Sequence, residues 1–399
     1  MSAPAKLPPF DPADPLGIDD LLSDEDLAIR DTVRSWAADR VLPHIAEWYE
    51  NGELPGIREL ARELGSLGAL GMSLTGYGCA GATAVQYGLA CLELEAADSG
   101  IRSLVSVQGS LAMYAIWKYG SEEQKQRWLP SMAAGETIGC FGLTEPDHGS
   151  DPAGMRTYAK RDGTDWVLSG RKMWITNGSV AGVAVVWAQT DEGSGGIRGF
   201  AVPTDTPGFS APEIKHKWSL RASVTSELVM DEVRLPADAV LPGVTGLKGP
   251  LSCLSHARYG IVWGAMGAAR ASFDAAVEYA KTREQFGRPI GGFQLTQAKL
   301  ADMAVELHKG VLLAHHLGLR MDAGRLRPEQ VSFGKLNNVR EAIEICRTSR
   351  TVLGANGISL EYPVMRHVTN LESVLTYEGT VEMHQLVLGK ALTGLDAFR

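Results

Sequence analysis

Near the C-terminal end of the chain, the stretch TYEGT beginning at Thr376 sets one carboxylate, Glu378, between Tyr377 and Gly379. A carboxylate there can serve as a charge at a helix start, where the helix dipole favours an acid, or as a general base. The pentapeptide alone fits both. Other stretches carry side chains able to support chemistry. CFGLTEPDHGSD (140–151) offers Thr144, Ser150 and backbone amides opened by glycine. That mix of small residues and hydroxyls is what a hydrogen-bonding wall for a planar, polar-edged ring requires. In KMWITNGS (172–179), Trp174 and Thr176 have the same parity, so on a strand both face one way, an aromatic slab beside a hydroxyl. KTREQFGRPIGGFQ (281–294) holds a guanidinium fork suited to phosphate at Arg283, a stacking surface at Phe286 and an amide at Gln294. LGANGIS (353–359) is a glycine-rich turn of a kind that both phosphate sites and helix C-caps use. ADSGIRSLVSVQGS (97–110) places Arg102 and Ser103 just inside a helix start, and HARYG (256–260) adds Arg258. Each stretch also has a purely structural reading: a turn, a core tryptophan, a solvated arginine.

These residues are spread over 399 positions of ordinary globular composition, 45% hydrophobic and 21% charged. That length suggests two or three domains with room for a cofactor between them. The net charge of −9 argues against nucleic acid as a partner, while a local basic site for a small anion stays open. Five cysteines lie far apart without a CxxC pair, so no metal site and no disulfide framework is expected. Scattered reduced cysteines fit a cytoplasmic protein. No apolar run approaches the roughly 18 residues of a membrane span. The Pro-rich, acidic MSAPAKLPPFDPADP is unlike a targeting peptide and reads as an extended arm.

The elements that must position the chemistry fall in three regions. In SDEDLAIRDTVRSWAADRVLPHI, Ser23 is the expected N-cap, and Leu27, Val33, Trp36, Ala37 and Val41 share one face. Further helices are expected at about 57–70, 82–98, 101–118 and 121–134. The pattern then alternates around Asp162-Gly163, a hairpin signal, and VAGVAVVWAQ, IRGFAVP and SELVMDEVRLP follow as short strands of a small antiparallel sheet. Long helices return at about 251–283, 294–323, 328–353 and 379–393, with Pro328 at a start and Gly354 past an end. The expected domains are 1–138, 139–250 and 251–399. Gly260, Gly264 and Gly267 share a helix face, for which close helix packing is a sufficient reason.

Taken in order, GLTEP.HGSD, WITN, R.QFG....FQ, LG.NGIS and YEGT after a helical N-terminal region resemble the acyl-CoA dehydrogenase family. The stretches DSGIRS.VSVQ, SLRAS, ARYGI.WG.MGA, NGIS.EY.V.RH..NLE and TYEGT are most similar to the branch acting on glutaryl-CoA. The resemblance implies a multi-domain α+β fold: an N-terminal helical domain, a β-barrel-like middle domain and a C-terminal four-helix bundle, with FAD between them. It implies that Phe141, Leu143, Thr144 and Ser150 line the flavin and the CoA entry, and that Trp174, Ile175 and Thr176 flank the ring. Arg283, Phe286, Gln294, Leu353, Gly354 and Gly357 would reach the FAD of a neighbouring subunit, and Thr380 and Glu382 would hold its adenosine side. Glu378 would be the base, with the thioester oxygen on the Glu378 N–H and Gly379 allowing close approach. Arg258 and Tyr377 would lie beside the acyl group. Arg102, with Glu95 sharing its charge and Ser103 and Ser106 adding hydroxyls, would bind a distal carboxylate. Glu95 reaches Arg102 either along one continuous helix or from the preceding one. Oxidation followed by decarboxylation to crotonyl-CoA, electron-transfer flavoprotein as acceptor and a homotetramer are further implications. An oxidase on the same fold, a silent acyl-CoA-binding protein and a dehydrogenase for another acyl chain are the alternatives. Ala355 stands where relatives often carry glycine.

Overall fold

The computed structural model describes residues 10–191 and 196–397. The first nine residues of the expected arm lie outside the described residues. Helix α1 (Asp24–Arg40) opens on a reciprocal cap: Ser23 Oγ accepts from the Asp26 N–H at 3.2 Å, and the Asp26 carboxylate accepts from the Ser23 N–H at 3.0 Å. Its Val33 and Ala37, with Val41 beyond its end, are buried, and Trp36 packs against the same core. Helices α2 (Ile45–Asn51), α3 (Ile57–Ser66), α4 (Ala84–Ala97), α5 (Ser99–Ser106), α6 (Tyr114–Tyr119) and α7 (Glu122–Ala133) follow. Between α5 and α6 the chain continues as a π-helix, Val107–Met113. The segment expected as one helix over 101–118 therefore stays helical but changes pitch, a variation concentrated at functional sites.

Strands β1 (Gly139–Gly142), β2 (Tyr158–Asp162), β3 (Asp165–Thr176), β4 (Val183–Gln189), β5 (Ile197–Pro203), β6 (Phe209–Ser210) and β7 (Thr225–Leu235) form one seven-stranded sheet in the order β1-β4-β2-β3-β7-β6, with β5 on β4. The hairpin forms as expected, Asp162 opposite Asp165 with Gly163 at φ +64°. The sheet is mixed, however, not antiparallel: β1 runs parallel to β4 from Gly139–Val183 to Gly142–Val186. The long connection between them, which includes the hairpin, supplies the crossover that parallel pairing needs. The β3–β7 register slips twice, between Leu168 and Gly170 and between Lys172 and Ile175.

The C-terminal part contains α8 (Lys248–Thr282), the small hairpin β8 (Glu284–Gln285) and β9 (Arg288–Pro289), then α9 (Gln294–Asp322), α10 (Pro328–Leu353), α11 (Val364–Thr376) and α12 (Val381–Thr393). Helix α11 is an addition to the four expected, although Val364, Val368, Leu371 and Val374 are buried at helical spacing. Helices α4 and α8 touch backbone to backbone. A Cβ at Gly267 would lie 1.9 Å from the Leu92 carbonyl oxygen, and one at Gly260 2.8 Å from the Tyr87 hydroxyl. This contact places the end of α4 against the middle of α8, where the next glycine, Gly264, faces Glu95.

Candidate active site

The turn between α11 and α12 carries Glu378 at φ +52° and Gly379 at φ +102°. A side-chain-bearing residue in the left-handed region costs about 1–3 kcal/mol and persists only where its surroundings hold it. Here three successive carbonyls each accept from a cationic side chain. Lys335 Nζ donates to the Tyr377 and Gly379 oxygens, both at 2.6 Å, and Arg258 Nε donates to the Glu378 oxygen at 2.6 Å. Gly379 is required on two counts: its φ, and a Cβ there would meet His384 Nε2 at 2.9 Å and Arg258 Nη2 at 3.2 Å. The Glu378 residue is half-buried, but its Oε2 is shut from solvent and has no hydrogen-bond partner. Burial raises its pKa, and the charges of Arg102, Lys335 and Arg258 only partly oppose that. Burial also lowers Lys335 to about 7 despite the pull of Glu378. His384, whose Nδ1 lies 3.0 Å from Ser332 Oγ, is driven to about 3 by burial beside Lys335 and Arg258. A buried carboxylate with a raised pKa and an unpartnered oxygen is suited to taking up a proton.

Arg102 forms the other end of the cluster. Of the two routes by which Glu95 could reach it, the structure takes the second. Helix α4 stops at Asp98, whose extended backbone (φ −166°) breaks the helix and whose Oδ1 caps α5 by accepting the Gly100 N–H at 2.7 Å. Glu95 on α4 then receives Arg102 Nε at 2.7 Å and Ser99 Oγ at 2.8 Å. Arg102 is 1% exposed in its side chain and also donates through Nη2 to the Tyr377 hydroxyl. Its guanidinium lies 5.6 Å from the Tyr377 ring. Its Nη1 makes no hydrogen bond among the described residues, and the buried hydroxyls of Ser103 and Ser106 face the Tyr377 and Tyr87 hydroxyls without forming a well-aligned hydrogen bond. Burial opposes the Arg102 charge, but Glu95 and the Tyr377 oxygen hold it firmly protonated. Gly264 makes the pair possible, since a Cβ there would fall 2.0 Å from Glu95 Oε2. This is more than the packing role that its spacing suggests.

The Asp98 cap is itself tied to the rest of the molecule. Its Oδ2 accepts from Arg366 Nη1 at 2.6 Å and Asn370 Nδ2 at 2.9 Å, and Asn370 Oδ1 takes the Leu220 N–H at 2.7 Å. Residues from α4 and α5, from the loop before β7 and from α11 thus share one buried network.

Thr144 and Trp174 are brought together by Met173, whose N–H donates to the Thr144 oxygen at 2.8 Å. Behind them lies a buried ion pair, Lys172 Nζ to Glu145 Oε1 at 2.8 Å, with Lys172 also on the Leu143 carbonyl at 3.1 Å. Burial lowers Lys172 to about 8 against the pull of Glu145. The bulge before Ile175 puts Trp174 at φ +63° and leaves it 57% exposed. Ile175 is buried in the sheet core, and Phe141 is buried against Trp187 with ring centroids 6.2 Å apart. Leu143 is buried and Ser150 exposed. The hydroxyls of Thr144 and Thr176 make no hydrogen bond among the described residues.

A separate groove of about 340 Å³ unites Arg283, Gln285, Leu353, Gly354 and Asn356. Phe286, at the tip of the β8–β9 turn, is 94% exposed, and Gln294 begins α9 on the surface. Gly357 is buried, where a Cβ would lie 2.6 Å from the Arg350 carbonyl oxygen. Thr380 caps α12 by accepting the Met383 N–H at 3.3 Å, and Glu382 is exposed in its first turn. None of these residues lines the Glu378 cluster.

Lys335, His384, Lys172 and Gly264 are the site residues that sequence reasoning missed. Lys335 lies between Val331 and Val339 on the buried stripe of α10, and Lys172 shares the buried parity of Trp166 and Leu168. Both signals are periodicity, read against a basic side chain's usual exposure.

Comparison with known proteins identifies the family. Three family models match in order: acyl-CoA dehydrogenase N-terminal domain over residues 23–136, middle domain over 140–233 and C-terminal domain over 245–393. Human mitochondrial short-chain specific acyl-CoA dehydrogenase is 35% identical over 362 residues, spanning 90% of this chain and 87% of its own. A glutaryl-CoA dehydrogenase structure from Mycobacterium smegmatis is 72% identical, with a TM-score of 0.95, and covers 97% of this chain and 99% of its own. A second from that organism, in complex with FADH2, is 64% identical, with a TM-score of 0.94 and coverage of 96% and 98%. By its domain order, its relatives and its site, the chain belongs to the acyl-CoA dehydrogenase family.

Proposed function

We propose that this acyl-CoA dehydrogenase oxidises glutaryl-CoA at the α,β bond and decarboxylates the product to crotonyl-CoA and CO2, with FAD as its cofactor. One observation carries the substrate: Arg102, fully buried, keeps its Nη1 without a protein partner, on the same short helix as the buried hydroxyls of Ser103 and Ser106. A buried guanidinium with open donors fits a carboxylate, and an apolar acyl end would leave those donors unsatisfied. The high identity to glutaryl-CoA dehydrogenases supports the same choice.

The residues fit a flavin. Trp174 is an exposed aromatic slab held in a strained conformation, and the hydroxyls of Thr144 and Thr176 are free beside it. A relative that holds FADH2 supports that assignment. Bound there, FAD supplies the acceptor for the β-hydride. Glu378 takes the α-proton, and its raised pKa makes the carboxylate basic enough once the thioester acidifies that carbon. The Glu378 N–H receives the thioester oxygen, which gains negative charge. Loss of CO2 from the γ-carbon leaves a dienolate, to whose terminal carbon protonated Glu378 returns the proton.

Arg283, Phe286, Gln294, Leu353, Gly354 and Gly357 are assigned to a neighbouring subunit's FAD in a homotetramer, supported by a groove, lined by Arg283, Leu353 and Gly354, that is separate from the Glu378 cluster. Thr380 and Glu382 are assigned to the adenosine side. Domains of 1–138, 139–250 and 251–399, electron-transfer flavoprotein as acceptor and a cytoplasmic location complete the reading. The five free cysteines are compatible with that location. Among the described residues no helix is long and apolar enough to cross a membrane. A short acyl chain without a distal carboxylate is the second reading, favoured by the Glu95–Arg102 pair, which gives the arginine a counter-ion without any ligand.

The test is to incubate FAD-loaded protein with glutaryl-CoA and an artificial electron acceptor and weigh the acyl-CoA product. A crotonyl-CoA mass is expected. A glutaconyl-CoA mass removes the decarboxylation, and oxidation of butyryl-CoA with glutaryl-CoA untouched removes the Arg102 argument.

A further inference from the structure

We propose that Lys335 is a positioning residue that strengthens the oxyanion donor of the site: its ammonium, bonded to the Tyr377 carbonyl, polarises the peptide unit whose opposite end is the Glu378 N–H. The proposal rests on the reading above that this N–H receives the thioester oxygen.

The Tyr377 C=O and the Glu378 N–H are two ends of one peptide dipole. A charged donor 2.6 Å from the oxygen draws electron density from the nitrogen end and makes its N–H a better donor, the cooperative effect of linked hydrogen bonds. The Glu378 N–H itself makes no hydrogen bond among the described residues and is available to a ligand. The same ammonium also holds the Gly379 carbonyl at 2.6 Å, so the carbonyls on either side of Glu378 converge on one nitrogen. The two peptides flanking Glu378 carry the Tyr377 and Glu378 carbonyls, held by Lys335 and Arg258, so neither can rotate without losing a charge-assisted bond, and the N–H keeps a fixed direction.

The choice of side chain is informative. Lys335 is buried on the apolar stripe of α10, and both of its hydrogen-bond acceptors are neutral carbonyls. A buried cation without a bonded carboxylate is costly, and a neutral amide could satisfy carbonyls more cheaply. The charge therefore has a use at this position, and the use that the geometry offers is polarisation. The charged and titratable groups around it are Glu378 and Tyr377 in the turn, Arg258 on α8, Arg102 on α5 and His384 on α12. With the arginines charged and His384 neutral, Lys335 is the basic group of this cluster that titrates near neutrality, at about 7.

The experiment compares calorimetric binding of crotonyl-CoA with binding of its thioether counterpart, S-butenyl-CoA, which lacks the carbonyl oxygen. The proteins are the FAD-loaded wild type and the variants Lys335→Met, Lys335→Gln and Lys335→Arg. A four-carbon pair keeps the test independent of the distal-carboxylate assignment. Wild type is expected to prefer the thioester. K335M is expected to lose about five- to tenfold of that preference, the scale of one ordinary hydrogen bond, with thioether affinity unchanged and K335R recovering part of the loss. The wild-type preference is expected to fall as pH rises through about 7 and to stay level in K335R. If K335M does not fold, K335Q carries the comparison. Equal loss of both ligands shows a structural prop and overturns the proposal. A preference kept in K335M and K335Q overturns it while leaving the oxyanion reading of Glu378 standing. Absence of any preference in wild type removes that reading and the proposal together.

Discussion

The substitution Gly264→Ala isolates the role of the α4–α8 contact in holding the acidic partner of Arg102. On helix propensity alone, alanine in the middle of α8 stabilises by about 1 kcal/mol. The new Cβ, however, would stand 2.0 Å from Glu95 Oε2, and such contacts are not seen below 3.0 Å. Glu95 cannot swing aside freely, because Arg102 Nε at 2.7 Å and Ser99 Oγ at 2.8 Å hold its two oxygens. A retreat of about 1 Å stretches the bond to Arg102 to about 3.7 Å, outside hydrogen-bond range. Breaking a buried pair costs about 3–5 kcal/mol, so the net destabilisation is about 2–4 kcal/mol after the propensity gain, a fall of several degrees in melting temperature. The assay is a double-mutant cycle by thermal and urea unfolding, with Glu95→Ala as the second substitution. In the E95A background the collision has no target, and Gly264→Ala should cost close to nothing or stabilise. A variant G264A as stable as wild type, or one whose cost is the same in both backgrounds, would refute the reasoning and put the strain elsewhere on α8.

Glu378→Gln should lower turnover by at least about a thousandfold, the scale of a lost general base, with FAD content and fold retained. The same variant gives a stability readout. The folded pKa of Glu378 is raised, so the folded state binds more protons than the unfolded state above the ordinary carboxylate range, and ionisation opposes folding as pH rises. E378Q should therefore melt higher than wild type at pH 8, with the gap closing as pH falls toward 4, and a gap that grows on acidification contradicts the raised pKa. Arg102→Met should reduce kcat/KM for glutaryl-CoA roughly a hundredfold more than for butyryl-CoA, from loss of charged hydrogen bonds to the distal carboxylate. Equal losses on the two substrates would count against carboxylate recognition. Lys172→Met breaks a buried pair and should cost about 3 kcal/mol in urea unfolding, with weakened FAD retention because Thr144 and Trp174 are fixed through it.

The parts of the fold legible in the sequence are those where local chemistry and tertiary demand agree. The Ser23 cap, the Gly163 turn, and the Pro328 and Gly354 boundaries follow from backbone preferences that tertiary packing did not override. The parallel β1–β4 pairing was not legible, because strand direction is decided by a partner more than 40 positions away, between Gly139 and Val183. Helix α11 carries its own periodicity, but it is short and has no side-chain cap at its start. Within the site, Glu378, Arg102 and Glu95 stood out as charges in recognisable surroundings. Lys335 and Lys172 did not, since a lysine's burial depends on acceptors supplied by distant residues: the carbonyls of Tyr377 and Gly379 in one case, Glu145 in the other. The parity of Trp174 and Thr176 does leave both out of the core, with Ile175 buried between them, but the outward turn of Trp174 comes from a bulge that alternation cannot foresee.

The break at Asp98 limits how such a pocket can change over generations. The residue ends one helix, caps the next and is clasped by Arg366 and Asn370, which in turn holds Leu220. The backbone under Arg102 is thus a keystone shared by three segments of the chain. An insertion, deletion or tilt there loosens all three at once, so the backbone position is nearly frozen. Exchange of side chains one turn further along, at Arg102, Ser103 and Ser106, disturbs none of those ties. If these side chains meet the acyl end as proposed, new acyl preferences on this scaffold come from exchanging them rather than from moving the backbone beneath them.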